Sequence, residues 1–305
     1  MGMATEFGGV AVTHPSGATC VALDDERWHM QHGPIDLVIG ANGEAAAVRR
    51  ALDAAWSRFT GVLPELVGEL SRLRKPVPQC GAFSGAVAQR MLAACWPHRA
   101  QYITPMAAVA GAVADEICAF FKAEAGVRRA YVNNGGDIAL HLQPGEQYRI
   151  GLYANLDRYA GGEVVPDGDF ELTSSMPLRG VATSGWRGRS FSLGIADSVT
   201  ILASQAAVAD AAATVVANAV DSAHEAVRKS PASSLKDDTD LGDLPVTVAV
   251  GPLPQEEIEA ALAKGAAAAN GLQSQGLIEA AVLVLQGRVH AVGLQELNRR
   301  RIPGP

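Results

Sequence analysis

From Ser204 to Val220 the chain reads SQAAVADAAATVVANAV, a run so rich in alanine that it predicts a helix whose neighbours can approach almost to the backbone. Asp210 and Thr214 stand four residues apart in that run. On a helix they share one face and can present a carboxylate and a hydroxyl to a single ion. Oxygen-only ligands favour magnesium or calcium over zinc. A face turned to water would account for Asp210 equally well, and helical spacing alone does not separate the two.

The residues just upstream add phosphate chemistry. Thr183-Ser184-Gly185 follows an apolar strand and precedes Trp186, Arg187 and Arg189. Hydroxyls and backbone amides at such a turn bind phosphate, and arginine adds bidentate charge-assisted bonds. A surface loop with solvated arginines is the plain alternative. Asp197 stands immediately before the strand-like run Ser198 to Leu202 and reads as a turn residue or a supporting acid.

Bulk properties narrow the classes. At 305 residues the chain can bury a sizeable core, and one compact domain over 1–305 is expected. Of its residues 48% are hydrophobic but only 5% aromatic, so alanine, glycine and valine supply most of the apolar content. A formal charge of −7 argues against a nucleic-acid binder, which needs a basic face to displace counterions. Cys20, Cys80, Cys95 and Cys118 form no C-x-x-C pair, which makes a zinc site or a disulfide framework improbable, and Cys118 reads as a small buried hydrophobe. There is no apolar run of the length a membrane span needs and no basic-then-apolar leader, so a cytoplasmic protein without a membrane partner is expected.

The order of elements predicts an α+β fold. Alternation at Gly9 to His14 and Thr19 to Leu23 around Pro15-Ser16-Gly17 predicts a hairpin, and Ile35 to Ile39 a further strand. Helices are expected over Ala45 to Phe59, capped through Asn42-Gly43-Glu44, then over Leu63 to Leu73 and Ser84 to Cys95. Thr104-Pro105 opens another that stops at Gly126. Strands Ala130 to Asn133 and Ile138 to Leu142 flank a glycine turn, and short strands fill Tyr148 to Leu202. The alanine-rich helix is expected to run on to about Arg228, before an exposed loop at about 230–243, a strand at Val246 to Val250, a helix at Gln255 to Ala269 and a hairpin at 280–293. The tail NRRRIPGP reads as a solvated end.

Two further points carry chemistry. The turn Asn134-Gly135-Gly136-Asp137 serves as a plain hairpin connector, or lets a ligand approach its backbone while Asn134 or Asp137 bonds the ligand's polar groups. Asp115, in the second alanine-rich stretch AVAGAVADEI, is as ambiguous as Asp210. There is no G-x-S-x-G elbow, P-loop or G-x-G-x-x-G, and the histidines are scattered, so a zinc hydrolase is improbable.

Taken together, TPMAAVAGAVAD (104–115), NNGGDIAL (133–140) and the TSG, SFSLGIADSV and VADAAAT segments of 183–214 resemble the signature blocks of the ApbE-like superfamily, closest to its short soluble branch. The best-understood members are magnesium-dependent flavin transferases, which split FAD and attach FMN to a serine or threonine of a partner protein. The resemblance implies an ApbE-type (T-fold-like) fold of helices and antiparallel sheets with a central cleft. It implies Mg as cofactor with FAD or FMN, and a metal held by Asp210, Thr214 and the backbone carbonyl near Ala110. Asn134, Gly135, Gly136 and Asp137 match the family's glycine-rich turn, and Thr183, Ser184 and Gly185 its hydroxyl turn.

The departures are equally specific. The transferases carry a histidine, an Asp-Pro and a Thr-Gly where this chain has only WRGRSFSLGIAD, and a lysine-glycine pair where it has Ala110-Gly111-Ala112. Three functions stay open at this stage. The first is a magnesium-dependent enzyme that cleaves FAD pyrophosphate or transfers FMN, with Arg187 or Arg189 on the phosphates. The second is a non-catalytic flavin or nucleotide carrier or an oxidoreductase accessory protein, and the third an enzyme on a pterin-like heterocycle. The partner in each is a small nucleotide or flavin, and alanine-rich helices suit packing in a homodimer.

Overall fold

The computed structural model describes residues 12–24, 26–152 and 168–294. Helices and antiparallel strands alternate through it in an α+β arrangement, as expected, and the chain divides into two compact units. The first comprises residues 1–147, 173–181 and 205–208, and the second 148–172, 182–204 and 209–305.

The first unit begins with β1 (Val12–Thr13), β2 (Thr19–Asp24), β3 (Arg27–His32) and β4 (Ile35–Gly43). The expected hairpin is present from Val12 onward, with its earlier residues outside those described. β3 was not foreseen. Its inward residues Trp28, Met30 and His32 alternate properly, but the row ends in a histidine, which is buried because its Nε2 bonds the Ser16 carbonyl at 3.0 Å. Three helices follow: α1 (Ala45–Leu73), α2 (Ala86–Cys95) and α3 (Val109–Ala123), before the hairpin of β5 (Val127–Asn134) and β6 (Asp137–Leu142). Each strand from β1 to β5 pairs antiparallel with the next.

α1 corrects the expectation of two helices. It runs unbroken through Pro64, because one apolar stripe (Ala51, Leu52, Ala55, Phe59, Val62, Leu66, Leu73) continues past the proline, and that burial outweighs the lost hydrogen bond. Its start is not capped by a side chain, since the Asn42 amide oxygen accepts from Arg129 Nε at 3.0 Å instead. α2 takes its cap from α1: Glu69 accepts from the amides of Ser84 and Gly85 at 2.9 and 3.1 Å. Thr104-Pro105 opens a single 3-10 turn, Pro105–Ala108, that leads into α3, which stops at Ala123 rather than Gly126. α1 and α3 lie against the sheet, and α2 packs on both helices.

β7 (Gln147–Leu152) and β8 (Gly168–Thr173) pair as a two-stranded ribbon. β9 (Gly180–Ser184) then begins in the first unit, where Gly180 and Val181 lie beside Ala139 and Ile138 of β6.

In the second unit β10 (Ser198–Ala203) is buried along its whole length. α4 (Ala206–Ala219), whose first three residues belong to the first unit, follows, then β11 (Val227–Pro231), β12 (Pro245–Val250), α5 (Gln255–Ser274) and the hairpin of β13 (Ala280–Leu285) and β14 (Arg288–Val292). β10, β13 and β14 pair antiparallel, with α5 against β13 and β14.

α4 ends nine residues before the expected Arg228. Asp221 and Ser222 stop it by offering their side chains elsewhere: Asp221 takes Lys229 Nζ at 2.8 Å, and Ser222 Oγ donates to Glu257 at 2.6 Å while accepting from the His224 amide. β11 also claims Ser230 and Pro231 from the expected loop. The tail from 295 lies outside the described residues, and among those described no helix is long and apolar enough to cross a membrane. All four cysteines are buried free thiols, and burial pushes those of Cys20 and Cys118 up to about 12.

Candidate functional site

α4 is buried on almost every side. Ala206, Ala207, Ala209, Ala211, Ala212, Ala213, Val216 and Ala217 are fully buried, which only methyl-sized side chains allow at so many positions round one helix. Against this background Asp210, Thr214 and Asn218 are half-buried and four residues apart, so they form a single polar stripe. The sequence identified the first two; the structure adds the third. Asn218 is already engaged, its Oδ1 accepting from the Leu193 amide at 2.9 Å and from Ser192 Oγ at 3.2 Å.

The start of α4 is clamped within the first unit. The Asp115 carboxylate accepts from the amides of Ala206 and Ala207 at 3.1 and 2.9 Å. These are amides with no partner inside their own helix, and a negative charge beside them is favoured by the helix dipole. Burial nevertheless raises the pKa of Asp115, against the lowering effect of the two amide bonds and Arg90. Gly111 and Gly180 complete the clamp: a Cβ on Gly111 would stand 2.3 Å from the Ala206 carbonyl oxygen, and one on Gly180 2.1 Å from the Gln205 carbonyl carbon. Asp115 is therefore a capping residue. It also fills the place where a phosphate would otherwise meet this helix start.

The glycine turn forms the two-residue loop of the β5–β6 hairpin, with Gly135 and Gly136 at φ of 66° and 115°. Such values suit glycine and would strain other residues. Asn134 continues the buried row of Ala130 and Val132, and its Nδ2 donates to the Ala110 carbonyl at 3.1 Å. An ion at that carbonyl has to share it with this amide. Asp137 is buried beside the turn, while Gly135 and Gly136 are exposed. Ala110 and this turn belong to the first unit; Asp210 and Thr214 belong to the second.

The expected hydroxyl turn is corrected here: Thr183 and Ser184 are the last two residues of β9, paired into the sheet, and the segment that follows from Gly185 is more ordered than a surface loop requires. Thr183 Oγ1 lies 2.9 Å from Thr200 Oγ1, and Gly185 is packed so closely that a Cβ would stand 2.3 Å from the Asp197 carbonyl. Asp197 organises the turn: its carboxylate accepts from Trp186 Nε1 at 3.2 Å and from the Gln286 amide at 2.6 Å, and pairs with Arg187 Nε at 3.4 Å. The Arg187 guanidinium also lies 5.1 Å from the Trp186 ring centroid. Arg189 is exposed. Among the described residues no three or more histidine, cysteine or acidic side chains gather where they could hold a metal.

The model of the family described as "AbpE bacteria" matches residues 19–291. The chain belongs to this family. The match bears out the ApbE-like resemblance carried by Thr104 to Asp115, Asn133 to Leu140 and Thr183 to Thr214. A UPF0280 protein of Methanococcoides burtonii is 34% identical over 154 residues, which is 50% of this chain and 60% of that protein. One from Methanosphaerula palustris is 41% identical over 119 residues, 39% of this chain and 47% of the other. The chain thus spans between about half and three-fifths of the length of these two relatives. Among solved structures, the apo flavinyl transferase ApbE of Pseudomonas stutzeri is 14% identical, covering 89% of this chain and 96% of that one at a TM-score of 0.44.

Within this AbpE-family chain, two residues that sequence reasoning did not assign hold the site's parts in place. Asn218 had a detectable signal, since it stands eight residues after Asp210 and so on the same helical face. Asp115 stood out only as an acid in an alanine-rich helix, and its capping role was not legible because its partners are 91 and 92 residues away in the chain.

Proposed function

We propose that this protein binds a flavin or related phosphorylated cofactor together with magnesium, and that it cleaves the pyrophosphate of FAD or transfers the FMN part. The reading rests on one observation, supported by family membership. On a helix whose other faces are buried among alanines, a carboxylate and a hydroxyl stand one turn apart and half-buried, at Asp210 and Thr214. The donor set fits magnesium, which takes oxygen ligands and keeps several waters.

Asp210 and Thr214 would supply the protein oxygens. Ser184, at the end of β9 just before Gly185, offers a hydroxyl toward phosphate, and Arg189 offers charge. When bound, the ion would supply neutralisation of the charge developing on the phosphate oxygens. In the chemical step the oxygen of water, or of an acceptor hydroxyl, bonds to the FMN phosphorus as the bond to the bridging oxygen breaks and AMP leaves.

A non-catalytic carrier is the second reading, and the state of Asp197 favours it. This carboxylate, the acid of the shortened 186–197 segment, is engaged by three donors and is not available as a general base. Calorimetric titration with FAD, with and without magnesium, followed by chromatography for FMN and AMP, distinguishes the readings. Magnesium-dependent FAD binding is expected. Asp210→Ala should weaken it by at least the roughly 10–100-fold that loss of an outer-shell metal partner costs. Binding without products identifies a carrier, tighter binding of a pterin than of FAD shifts the ligand class, and a wild-type protein that binds neither defeats the proposal.

A further inference from the structure

The two arginines of the Trp186–Asp197 segment are not equivalent, and the difference assigns them separate work. Arg187 is held: its Nε is 3.4 Å from Asp197, and its guanidinium lies against Trp186. Arg189 is exposed and, among the described residues, has no hydrogen bond or ion pair. The backbone that carries it is nonetheless fixed on both sides.

On the N-terminal side the Trp186 amide donates to the Ala196 carbonyl at 3.0 Å, the Gly188 amide to the Gly185 carbonyl at 3.1 Å, and Asp197 grips Trp186 and Arg187. On the C-terminal side the Ser192 carbonyl accepts from the Thr247 amide at 2.8 Å and Gly194 from Thr247 Oγ1 at 2.7 Å. Lys229 Nζ donates to the Leu193 carbonyl at 2.6 Å. A Cβ on Gly194 would stand 2.1 Å from the Ala217 carbonyl oxygen, so this part of the segment lies directly on α4. Residues 188–191 are thus a short exposed tip between two rigid anchors.

The second anchor ties that tip to α4. Asn218, which receives the Leu193 amide and the Ser192 hydroxyl, stands one turn beyond Thr214 and two beyond Asp210 on one stripe of α4. A guanidinium on a fixed tip anchored to the helix that carries Asp210 and Thr214 suits a phosphate-bearing ligand, of which a pyrophosphate is the one the proposed function calls for. There the ion and the arginine can share the phosphate charge, and the arginine loses little freedom because its backbone is already ordered.

We propose that Arg189 is the residue that binds the pyrophosphate of the nucleotide ligand, while Arg187 is a structural member of the Asp197 anchor. This rests on the function proposed above. The test is calorimetric titration of FAD, and separately ADP, in magnesium against wild type, Arg189→Gln, Arg189→Lys and Arg187→Gln, each with a thermal melt. Arg189→Gln should weaken both ligands about 10–100-fold, the scale of a lost charge-assisted bond, at an unchanged melting temperature. Arg189→Lys should recover part of that loss, because it keeps the charge without the bidentate fork. Arg187→Gln should lower the melting temperature. If wild type binds FAD and Arg189→Gln binds it equally well, the assignment is overturned and the function stands; if wild type binds neither ligand, both fall.

Discussion

Gly111→Ala should unfold at a distinctly lower urea concentration than wild type, while Gly68→Ala, the same substitution in another helix of the same unit, should unfold at a higher one. Both glycines lie in helices of the first unit, and on propensity alone each replacement is worth about 0.5–1 kcal/mol in favour of the alanine. Gly68 is exposed with nothing within 4 Å of its added methyl, so the propensity gain stands. At Gly111 the methyl would meet the carbonyl oxygen of Ala206 at 2.3 Å, its carbon at 2.5 Å and the Ala207 nitrogen at 2.8 Å.

Those are backbone atoms, which cannot rotate aside as a side chain would, so α3 and the start of α4 have to separate. Overpacking of this kind costs about 1–3 kcal/mol, which exceeds the propensity gain and reverses its sign. Circular dichroism melts in urea on the two variants provide the check. A Gly111→Ala protein as stable as wild type would mean that the two helix segments are not held at this distance in solution.

This contrast also marks what could be read from the chain. The alanine content of 204–220 announced a helix that neighbours approach closely, and the spacing of Asp210 and Thr214 announced its polar stripe. Both signals are local. What escaped was set by partners distant in sequence. The stretch from Ala45 to Leu73 looked like two helices because its continuous apolar stripe gains its energy only against other elements. Asp221 and Ser222 looked like more helix until Lys229 and Glu257 were there to receive their side chains.

In the same way Arg187 and Arg189 were indistinguishable as letters. Their separation depends on Asp197, eight to ten residues further on, which is itself steadied by the amide of Gln286 at the β13–β14 turn. A motif can name the residues of such a site. The division of labour among them is a property of packing.

Asp115→Ala supplies the second large effect, and its dependence on pH separates two accounts of the carboxylate. Removing it leaves the amides of Ala206 and Ala207 without their acceptor, which should cost about 2 kcal/mol at neutral pH. Burial, the largest influence on this group, raises its pKa above the ordinary value of 3.8 despite the two amide bonds. The native state therefore holds the proton more tightly than the unfolded chain. Stability that depends on pH through Asp115 is fully present below 3.8 and is lost as pH rises through the folded-state value. Subtracting the alanine variant from wild type cancels the other titrating groups, so the deficit of Asp115→Ala should be larger near pH 4 than at pH 7. Urea unfolding of both proteins across that range measures the difference. A deficit that shrinks on acidification would show that attraction between the ionised carboxylate and the start of α4 outweighs desolvation, and that the clamp acts chiefly through charge.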